Sequence, residues 1–261
     1  MAIAFIHSFQ SEWLKKRRSL ASWIVIAGAF FTPVIIIIAR LVQHDTLNQL
    51  YAADNFWKAL WKSSWESMAI FLLPLGIILF TSLITQIEYK NNAWKQLHTL
   101  PLKFTTIFLA KLSVVLIMVL QFFILFNIGI YLSAVIPYAL ISGVPYPKPP
   151  IPFTSFLKED ALFFIDCLPI IALQYLLSLR FKNFLVPLGI GFILWIGAIA
   201  SLSWKFGYVL PYTYCSFNYL KDSTGGKAVT PAMNIHYLAI GYFMVFTILS
   251  YILYITKKEK G

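Results

Sequence analysis

The sequence predicts an all-α protein that crosses a membrane several times, and three observations support that class. Hydrophobic residues make up 59% of the 261-residue chain, and mean hydropathy is +0.76. Charged residues contribute 12%, against about 25% in a soluble domain. Long apolar runs, each near the roughly 20 residues that a spanning helix needs, alternate with short polar stretches. The polar remainder is too short for a second domain, so we expect one transmembrane domain over residues 1–261.

The N-terminal segment, residues 1–19, predicts an amphipathic helix in the membrane interface. Its apolar residues repeat at three- and four-residue intervals: Ala2, Phe5, Ile6, Phe9 and Trp13. A basic cluster at 15–18 ends it, as is typical of helices that lie on a lipid surface. An ordinary cytoplasmic anchor is an overlapping alternative. The first apolar run follows without a convincing small-residue cleavage site, so we expect it to be retained as a span.

Six apolar segments then follow, each predicted to be a transmembrane helix. They lie at about 20–42, 67–87, 104–136, 161–179, 183–204 and 235–256. The third is long enough to tilt strongly or to extend beyond the bilayer. Proline interrupts four of them, at Pro33, Pro74, Pro169 and Pro187. Each proline removes an internal hydrogen bond and favours a kink.

The distribution of charge predicts which loops are cytoplasmic. With the N-terminus inside, thirteen of the 21 basic and three of the 10 acidic residues fall on inner segments. The inner side then carries +10 and the outer side +1, as expected where cytoplasmic loops are enriched in Lys and Arg. We therefore expect both termini in the cytoplasm. Because the bases flank apolar spans, the net charge of +11 indicates contact with the lipid bilayer and not nucleic-acid binding.

Three outer loops result from this topology. The first, 43–66, carries Trp57, Trp61 and Trp65 at four-residue spacing, which predicts an amphipathic helix with an aromatic face in the interface. The second contains an extended, polyproline-like strap at 145–152. The third, 205–234, is aromatic in its first part, which we expect to enter the interface as a short re-entrant or surface helix.

No catalytic or metal-binding pattern is found in the sequence. The four histidines lie on separate segments, and no His-x-x-x-His pair, Gly-x-Ser-x-Gly elbow or P-loop is present. We therefore expect no enzyme activity, no metal and no cofactor in this chain. Cys167 and Cys215 both fall toward the outer side; a single bridge between them is one alternative, and two separately buried thiols are favoured.

Few polar groups lie within the spans. Arg40 and Asp166 fall near the outer ends of the first and fourth spans, where an ion pair at the outer mouth is geometrically feasible. Snorkelling of each side chain to the interface is the favoured alternative. Gln121, Asn127 and Gln174 lie at mid-span, where hydrogen bonding between helices is favoured over lining a path. The scarcity of mid-membrane acids argues against a proton-coupled secondary transporter.

The polar segment 86–103 carries the strongest functional signal. Glu88, Asn91, Lys95 and Thr99 follow helical spacing on one side, apolar side chains including Trp94 lie nearby, and Pro101 ends the pattern. A short amphipathic helix between two spans can dock into a groove on a soluble partner. It can equally rest on the inner leaflet, and the residue pattern does not favour either alternative.

A family resemblance separates the alternatives. The run from Glu88 to Pro101, followed by residues 107–111 and preceded in the chain by 11–19, resembles the permease subunits of ABC-2 type exporters. The group associated with lantibiotic and bacitracin immunity is the most similar. The six-span plan with both ends inside matches over nearly the whole chain. The resemblance implies a permease in the bacterial cytoplasmic membrane, working with a separate ATPase subunit that binds ATP and Mg²⁺.

The resemblance also assigns roles to residues. A coupling helix at about 91–99 would sit in a cleft of the ATPase, and the N-terminal helix would contact the ATPase as well. The expected coupling residues are Glu88, Lys90, Asn91, Asn92, Trp94, Lys95, His98 and Thr99. The expected residues of the N-terminal helix are Glu12, Trp13, Lys15, Lys16 and Arg17. Residues 208–220 would form short outer helices, whereas the proline strap departs from the family pattern.

The expected function is that of a non-catalytic permease subunit that exports an amphipathic or hydrophobic substrate, such as a peptide antibiotic, drug or lipid-like molecule. Two permeases, as a homodimer or with a related second permease, would pair with two ATPases. The alternative is a stand-alone secondary transporter or membrane scaffold without an ATPase partner.

Overall fold

The computed structural model of the protein describes residues 2–17, 19–90, 103–223 and 233–256, and within these ranges all regular secondary structure is helical. The α-helices are α1 (Ala2–Arg17), α2 (Leu20–Val42), α3 (Leu47–Ala52), α4 (Phe56–Ser67), α5 (Leu73–Lys90), α6 (Phe104–Leu140), α7 (Phe153–Arg180), α8 (Leu185–Ala200), α9 (Tyr214–Ser223) and α10 (Ile235–Thr256). A π-helical turn, Met68–Leu72, joins α4 to α5. Short 3₁₀ turns lie at His44–Thr46, Gly207–Val209 and Pro211–Thr213.

The helices show a protein that crosses the membrane several times. Five helices in the described ranges are long and apolar enough to span it: Leu20–Val42, Phe56–Ile87, Phe104–Leu140, Phe153–Arg180 and Ile235–Thr256. The span predicted at 183–204 is instead α8, which has 16 residues. At 1.5 Å per residue it extends about 24 Å, less than the roughly 30 Å hydrocarbon layer. Turns at 201–206 end the helix early, so the predicted count of six full-length spans is not reproduced.

The bundle is built around α6 and α7. α7 packs mainly on α5 and α10, whereas α6 is covered by α1 and α2. The core between them is aromatic, with Trp65, Phe126 and Phe163 almost wholly buried. In contrast, α2 and α10 expose most of their apolar side chains. Because the exposed faces of these two helices are mainly apolar, they are suited to contact with lipid.

The two ends of the bundle can be identified from contacts between helices. At one end, termed the α1 end, α6 begins beside the last turns of α7 and α10: Tyr175 donates to the carbonyl of Phe108, and Thr105 bonds Tyr251. At the other, termed the strap end, α6 finishes, residues 145–152 follow, and α7 begins. α3 and α4 lie at the strap end, where Tyr51 donates to the carbonyl of Ala134.

α1 and α2 contact successive parts of α6. α1 touches it between Lys111 and Gln121. α2 touches it further along, where Pro33 lies so close to Gly129 that a Cβ at that glycine would be 2.7 Å from the proline Cγ. α6 has 37 residues, about 55 Å of helix, and so provides a surface for both. The N-terminal helix is therefore packed on a spanning helix along much of its length.

The tryptophan-bearing segment differs from its prediction. Residues 56–87 form one continuous helical rod, with no break between α4 and the expected span at 67–87. The predicted interfacial face is buried in the bundle: Trp65 stacks on Phe163 at 4.0 Å between ring centroids, and Trp61 stacks on Phe156 at 5.5 Å. Four-residue spacing of aromatic residues is the same for a helix packed on protein and one resting on lipid, so spacing alone could not separate them.

The segments predicted as the second and third outer loops pack on the bundle, the strap beside α4 and the third loop along α7. The strap, 145–152, has no regular secondary structure, and the indole of Trp57 donates to the carbonyl of Pro149 over 2.9 Å. Residues 207–223 form two 3₁₀ turns and α9, which packs on α7. Tyr212 and Tyr214 of this segment are buried, which raises the pKa of both phenols because an ionised phenolate is poorly solvated there. A short helix was predicted in this region and is confirmed.

Candidate functional site

A buried cluster of charged and polar side chains joins α1 to α6. Glu12 and Lys111 are each less than 5% exposed. One carboxylate oxygen of Glu12 accepts a hydrogen bond from Lys15, and the other lies 3.8 Å from Nζ of Lys111. A carboxylate shared by two lysines offsets part of the cost of burying all three groups. The cluster therefore fixes the face of α1 that meets α6.

Lys16 makes a second link between the same helices. Its Nζ donates to Oε1 of Gln121 at 2.5 Å and lies 4.2 Å from the ring centroid of Trp13. Burial lowers the pKa of Lys16, because desolvation penalises the charged form. The prediction that Gln121 bonds between helices is confirmed. The carbonyl of Lys16 also accepts from Ser19 and Ser22, which ties the end of α1 to the start of α2.

The predicted coupling segment lies largely outside the described residues. Glu88 and Lys90 belong to the last turn of α5. Asn91, Asn92, Trp94, Lys95, His98 and Thr99 fall in 91–102, which the structure does not describe. The end of α5 just before them is anchored, since Gln86 donates from Nε2 to the carbonyl of Phe181 over 2.9 Å. The segment therefore leaves from a helix that is tied to the connection between α7 and α8.

Among the predicted residues of the N-terminal helix, four take part in the contacts with α6 or with each other. Glu12, Lys15 and Lys16 form the polar links, and Nζ of Lys16 lies over the ring of Trp13. Arg17 is exposed at the end of α1. Lys111 was missed as a partner of Glu12. A lysine early in a long apolar segment, with a glutamate on the preceding amphipathic helix, was the available signal.

Arg40 and Asp166 do not form the outer-mouth pair that was one of the two alternatives for them. Arg40 donates from Nη1 to the carbonyl of Ser133 over 2.9 Å. That carbonyl is four residues before Pro137, whose ring nitrogen has no hydrogen to donate to it. The guanidinium also lies over the rings of Tyr51 and Phe56, 5.5 and 5.2 Å from their centroids. Its position is therefore fixed by α6 and the aromatic residues of α3 and α4.

Asp166 pairs with a histidine that the sequence did not indicate. Oδ1 of Asp166 lies 2.8 Å from Nδ1 of His236, in the first turn of α10. The carboxylate is fully buried, whereas the imidazole side chain is 20% exposed. Seventy residues separate the two positions, and neither lies in a recognisable motif. Only the packing of α10 on α7 brings them together.

A polar network centred on Gln174 crosses three segments of the bundle. Its Nε2 donates to Oγ of Ser82 over 2.7 Å and to the carbonyl of Pro187 over 2.8 Å. Tyr212 donates to its Oε1 over 3.4 Å. The amide thus joins α5, the first turns of α8 and the segment before α9, so its predicted role in bonding between helices is confirmed. All these groups are buried, which makes the network structural in character.

The two cysteines are neighbours. Cys167 on α7 and Cys215 on α9 are free, buried thiols whose sulfur atoms lie 3.5 Å apart. The predicted burial of both thiols is confirmed, but their predicted separation is wrong, because α9 packs on α7 and brings the two sulfur atoms together. Across the described ranges, no three His, Cys, Asp or Glu side chains gather in a group that could hold a metal ion.

Comparison with known proteins supports the membrane-transport character of this arrangement. The model of one protein family, described as ABC-2 family transporter protein, matches residues 8–198. The match covers most of the chain, from the middle of α1 to the end of α8. A search of the curated proteins found no match.

Proposed function

Because this chain belongs to the ABC-2 family of transporter proteins, we propose that it is the membrane-spanning permease subunit of an ATP-driven exporter. Its residues supply no catalytic chemistry in this proposal; a separate ATPase subunit binds ATP and Mg²⁺. Two copies, or this chain and a related second permease, would assemble with two ATPases. The cargo would be amphipathic or hydrophobic, as in the lantibiotic and bacitracin immunity group that the sequence resembles.

The observation that carries the proposal is the docking of α1 on α6. In the proposed cycle the ATPase contacts two elements, the 91–99 segment and α1. The links from Glu12 to Lys111 and from Lys16 to Gln121 tie α1 to a spanning helix. A displacement of α1 would therefore be transmitted to α6. ATP binding would then shift the population between two arrangements of the spans, by binding one arrangement more strongly than the other.

The topology of the proposal places α1 in the cytoplasm and the strap outside. It can be tested with single cysteines in a background that carries Cys167→Ser and Cys215→Ser. Lys148 and Gln10 are both exposed, so Lys148→Cys and Gln10→Cys offer a matched pair. We expect a membrane-impermeant maleimide to label Lys148→Cys in intact cells and Gln10→Cys only after the cells are broken. The reverse pattern would overturn the assigned orientation.

The partner is tested by affinity purification from membranes in mild detergent. We expect an ATPase subunit to co-purify with the wild type and to be lost when Glu88→Ala is combined with Trp94→Ala. Glu159→Ala combined with Trp204→Ala is the matched control, since it changes the same residue types at the strap end. If no ATPase is recovered with the wild type in several detergents, a stand-alone transporter or scaffold becomes the better description.

A further inference from the structure

A large groove lies between α6 and α7 at the strap end. It has a volume of about 1020 Å³, at the upper end of the range for drug-sized ligand pockets. Both helices line it, and the strap contributes Tyr146 and Ile151. The indole of Trp57, which also bonds the strap at Pro149, stacks on Tyr131 at 6.1 Å. The space is therefore bounded by two helices and a fixed loop.

The walls of the groove are almost wholly apolar. Phe123, Phe156 and Phe164 line its interior, and Ile124, Ile128 and Leu157 form an exposed rim. Aromatic and aliphatic walls of this kind bury hydrophobic ligands with little demand on their shape. An apolar rim on two spanning helices opens the groove toward lipid. These surfaces favour a hydrophobic occupant that enters from the bilayer.

One carboxylate, that of Asp160, interrupts the apolar lining. Oδ2 of Asp160 accepts a hydrogen bond from Nδ2 of Asn127 over 2.7 Å. The other oxygen, Oδ1, is buried without a hydrogen-bond partner. Asn127 also donates to the carbonyl of Phe123, so its two amide hydrogens are both used. No Lys, Arg or His is among the described residues that line the groove.

A buried carboxylate oxygen without a hydrogen-bond partner lowers the stability of the fold, and such groups usually mark a functional site. In an apolar space the strongest compensation comes from a cation that also donates a hydrogen bond. An ammonium group on an otherwise hydrophobic molecule meets both requirements, since the hydrocarbon part would lie along the phenylalanine side chains. A neutral lipid chain would fill the same volume but leave Oδ1 of Asp160 unpaired.

We propose that the groove between α6 and α7 binds a hydrophobic molecule carrying one cationic amine, with the amine on Asp160. The proposal rests on the exporter function, for which it specifies the class of cargo and its place of entry. Asn127 acts as a positioning residue, because its hydrogen bond holds Oδ2 and leaves Oδ1 for the ligand. Trp57 and the strap close the groove at the end of the bundle.

The test uses the purified permease in lipid nanodiscs without any ATPase. Two probes are compared: a dodecylamine and a dodecanol that carry the same photoreactive diazirine. We expect the amine to label peptides of α6 and α7, with unlabelled dodecylamine competing. Asp160→Asn keeps the size of the side chain and an acceptor for Asn127. It should weaken amine binding about tenfold or more, as expected for loss of a hydrogen bond to a charged group, and leave the alcohol unchanged.

Two further variants keep the result interpretable. Glu159→Gln removes the neighbouring acid, which does not line the groove, and should leave amine labelling as in the wild type. Ile128→Trp fills the rim and should reduce labelling by both probes, whether or not Asp160→Asn folds well. Equal labelling by amine and alcohol in the wild type, or amine binding unchanged in Asp160→Asn, would overturn the proposal and leave a lipid-filled cleft. The labelling experiment contains no ATPase, so its result does not depend on whether an ATPase co-purifies with the permease.

Discussion

Trp195 on α8 donates a hydrogen bond from its indole nitrogen to the backbone carbonyl of Ile70, over 3.0 Å. Ile70 lies in the π-helical turn, four residues before Pro74. In a regular α-helix its carbonyl would accept the N–H of residue 74, which proline lacks. Within the π turn the backbone bonds run to the fifth residue along, as from Leu73 to Met68, and the indole of a neighbouring helix is a further donor to the carbonyl of Ile70. Arg40 donates in the same way to the carbonyl of Ser133, four residues before Pro137, so side chains from other helices donate to the carbonyls that lie four residues before two prolines.

Replacing Trp195 by Phe tests the first of these bonds. The aromatic volume is largely kept, but the carbonyl of Ile70 loses the hydrogen bond from the indole. We expect a loss of about 1–2 kcal/mol in stability, measured as a lower thermal midpoint in detergent. Trp204→Phe is the control, because Trp204 is 55% exposed. Equal shifts in the two variants would show that the bond contributes nothing of its own.

The pairing of Arg40 with Pro137 can be tested by a double-mutant cycle. Arg40→Met leaves the carbonyl of Ser133 without its donor and should destabilise the protein. Pro137→Ala restores a backbone N–H that can reach the same carbonyl, so Arg40→Met should cost less in that background. We expect a coupling of at least about 1 kcal/mol between the two changes, measured by thermal unfolding. Strictly additive effects would contradict the assigned role of Arg40.

The link between α1 and α6 predicts unequal effects at its two ends. Glu12→Gln removes the charge that faces both Lys15 and Lys111 and should cost about 2 kcal/mol or more. Lys111→Met should lower the stability less, because Glu12 keeps its hydrogen bond with Lys15. The methionine side chain is apolar and can be buried there without a partner. Protease sensitivity of α1 and thermal midpoint are the measurements. A larger loss for Lys111→Met would reverse the order and assign the main contribution to the lysine.

Lys16 predicts a dependence of stability on alkaline pH. Its pKa in the folded protein is lowered from the ordinary 10.5. At pH values between the folded pKa and 10.5, the folded chain therefore binds fewer protons than the unfolded chain. Stability from this group therefore rises with pH across that interval and is flat below it. Comparing wild type with Lys16→Met at pH 7 and pH 10 cancels the titration of other groups. We expect the stability of the wild type relative to the variant to be greater at pH 10 than at pH 7. An equal difference in stability at the two pH values would contradict the prediction.

The contact between Cys167 and Cys215 predicts an intrachain disulfide under a mild oxidant. With sulfur atoms 3.5 Å apart, small rotations of the side chains bring the thiols to bonding distance. Diamide treatment, followed by alkylation of the denatured protein, should leave both cysteines unmodified and joined within one peptide pair. Cys215→Ser should restore alkylation at Cys167. Full alkylation of the treated wild type would contradict the contact.

Much of the fold was accessible from hydropathy. The predicted spans at 20–42 and 235–256 coincide with α2 and α10, because uninterrupted apolar runs bounded by polar residues define helix ends well. The length of α8 was overestimated, since the predicted span ran on to residue 204, whereas residues 201–204 form turns. Hydropathy measures transfer to lipid, and helix length also depends on where the backbone turns.

The partners of polar side chains were less accessible. Gln121 and Gln174 were expected to bond between helices, and they do, since a lone amide in a span has few alternatives. The pair of Arg40 with Asp166, the less favoured of two alternatives, does not form, because equal depth in the membrane says nothing about the rotation of each helix. A local rule would have helped with Arg40, because Pro137 leaves an acceptor at Ser133. No such rule connects Asp166 with His236, which only tertiary packing joins.

The fixed strap has a consequence for how a molecule reaches the groove. Trp57 holds the strap at Pro149, while the rim of Ile124, Ile128 and Leu157 faces lipid. A ligand would therefore enter the groove from the membrane, and its binding would depend on its concentration in the lipid and not directly on its concentration in water. For each methylene added to a hydrocarbon tail, partitioning into the bilayer increases by about 0.8 kcal/mol. The concentration in water at which a ligand occupies the groove would then depend on its oil–water partition coefficient as much as on its contact with Asp160.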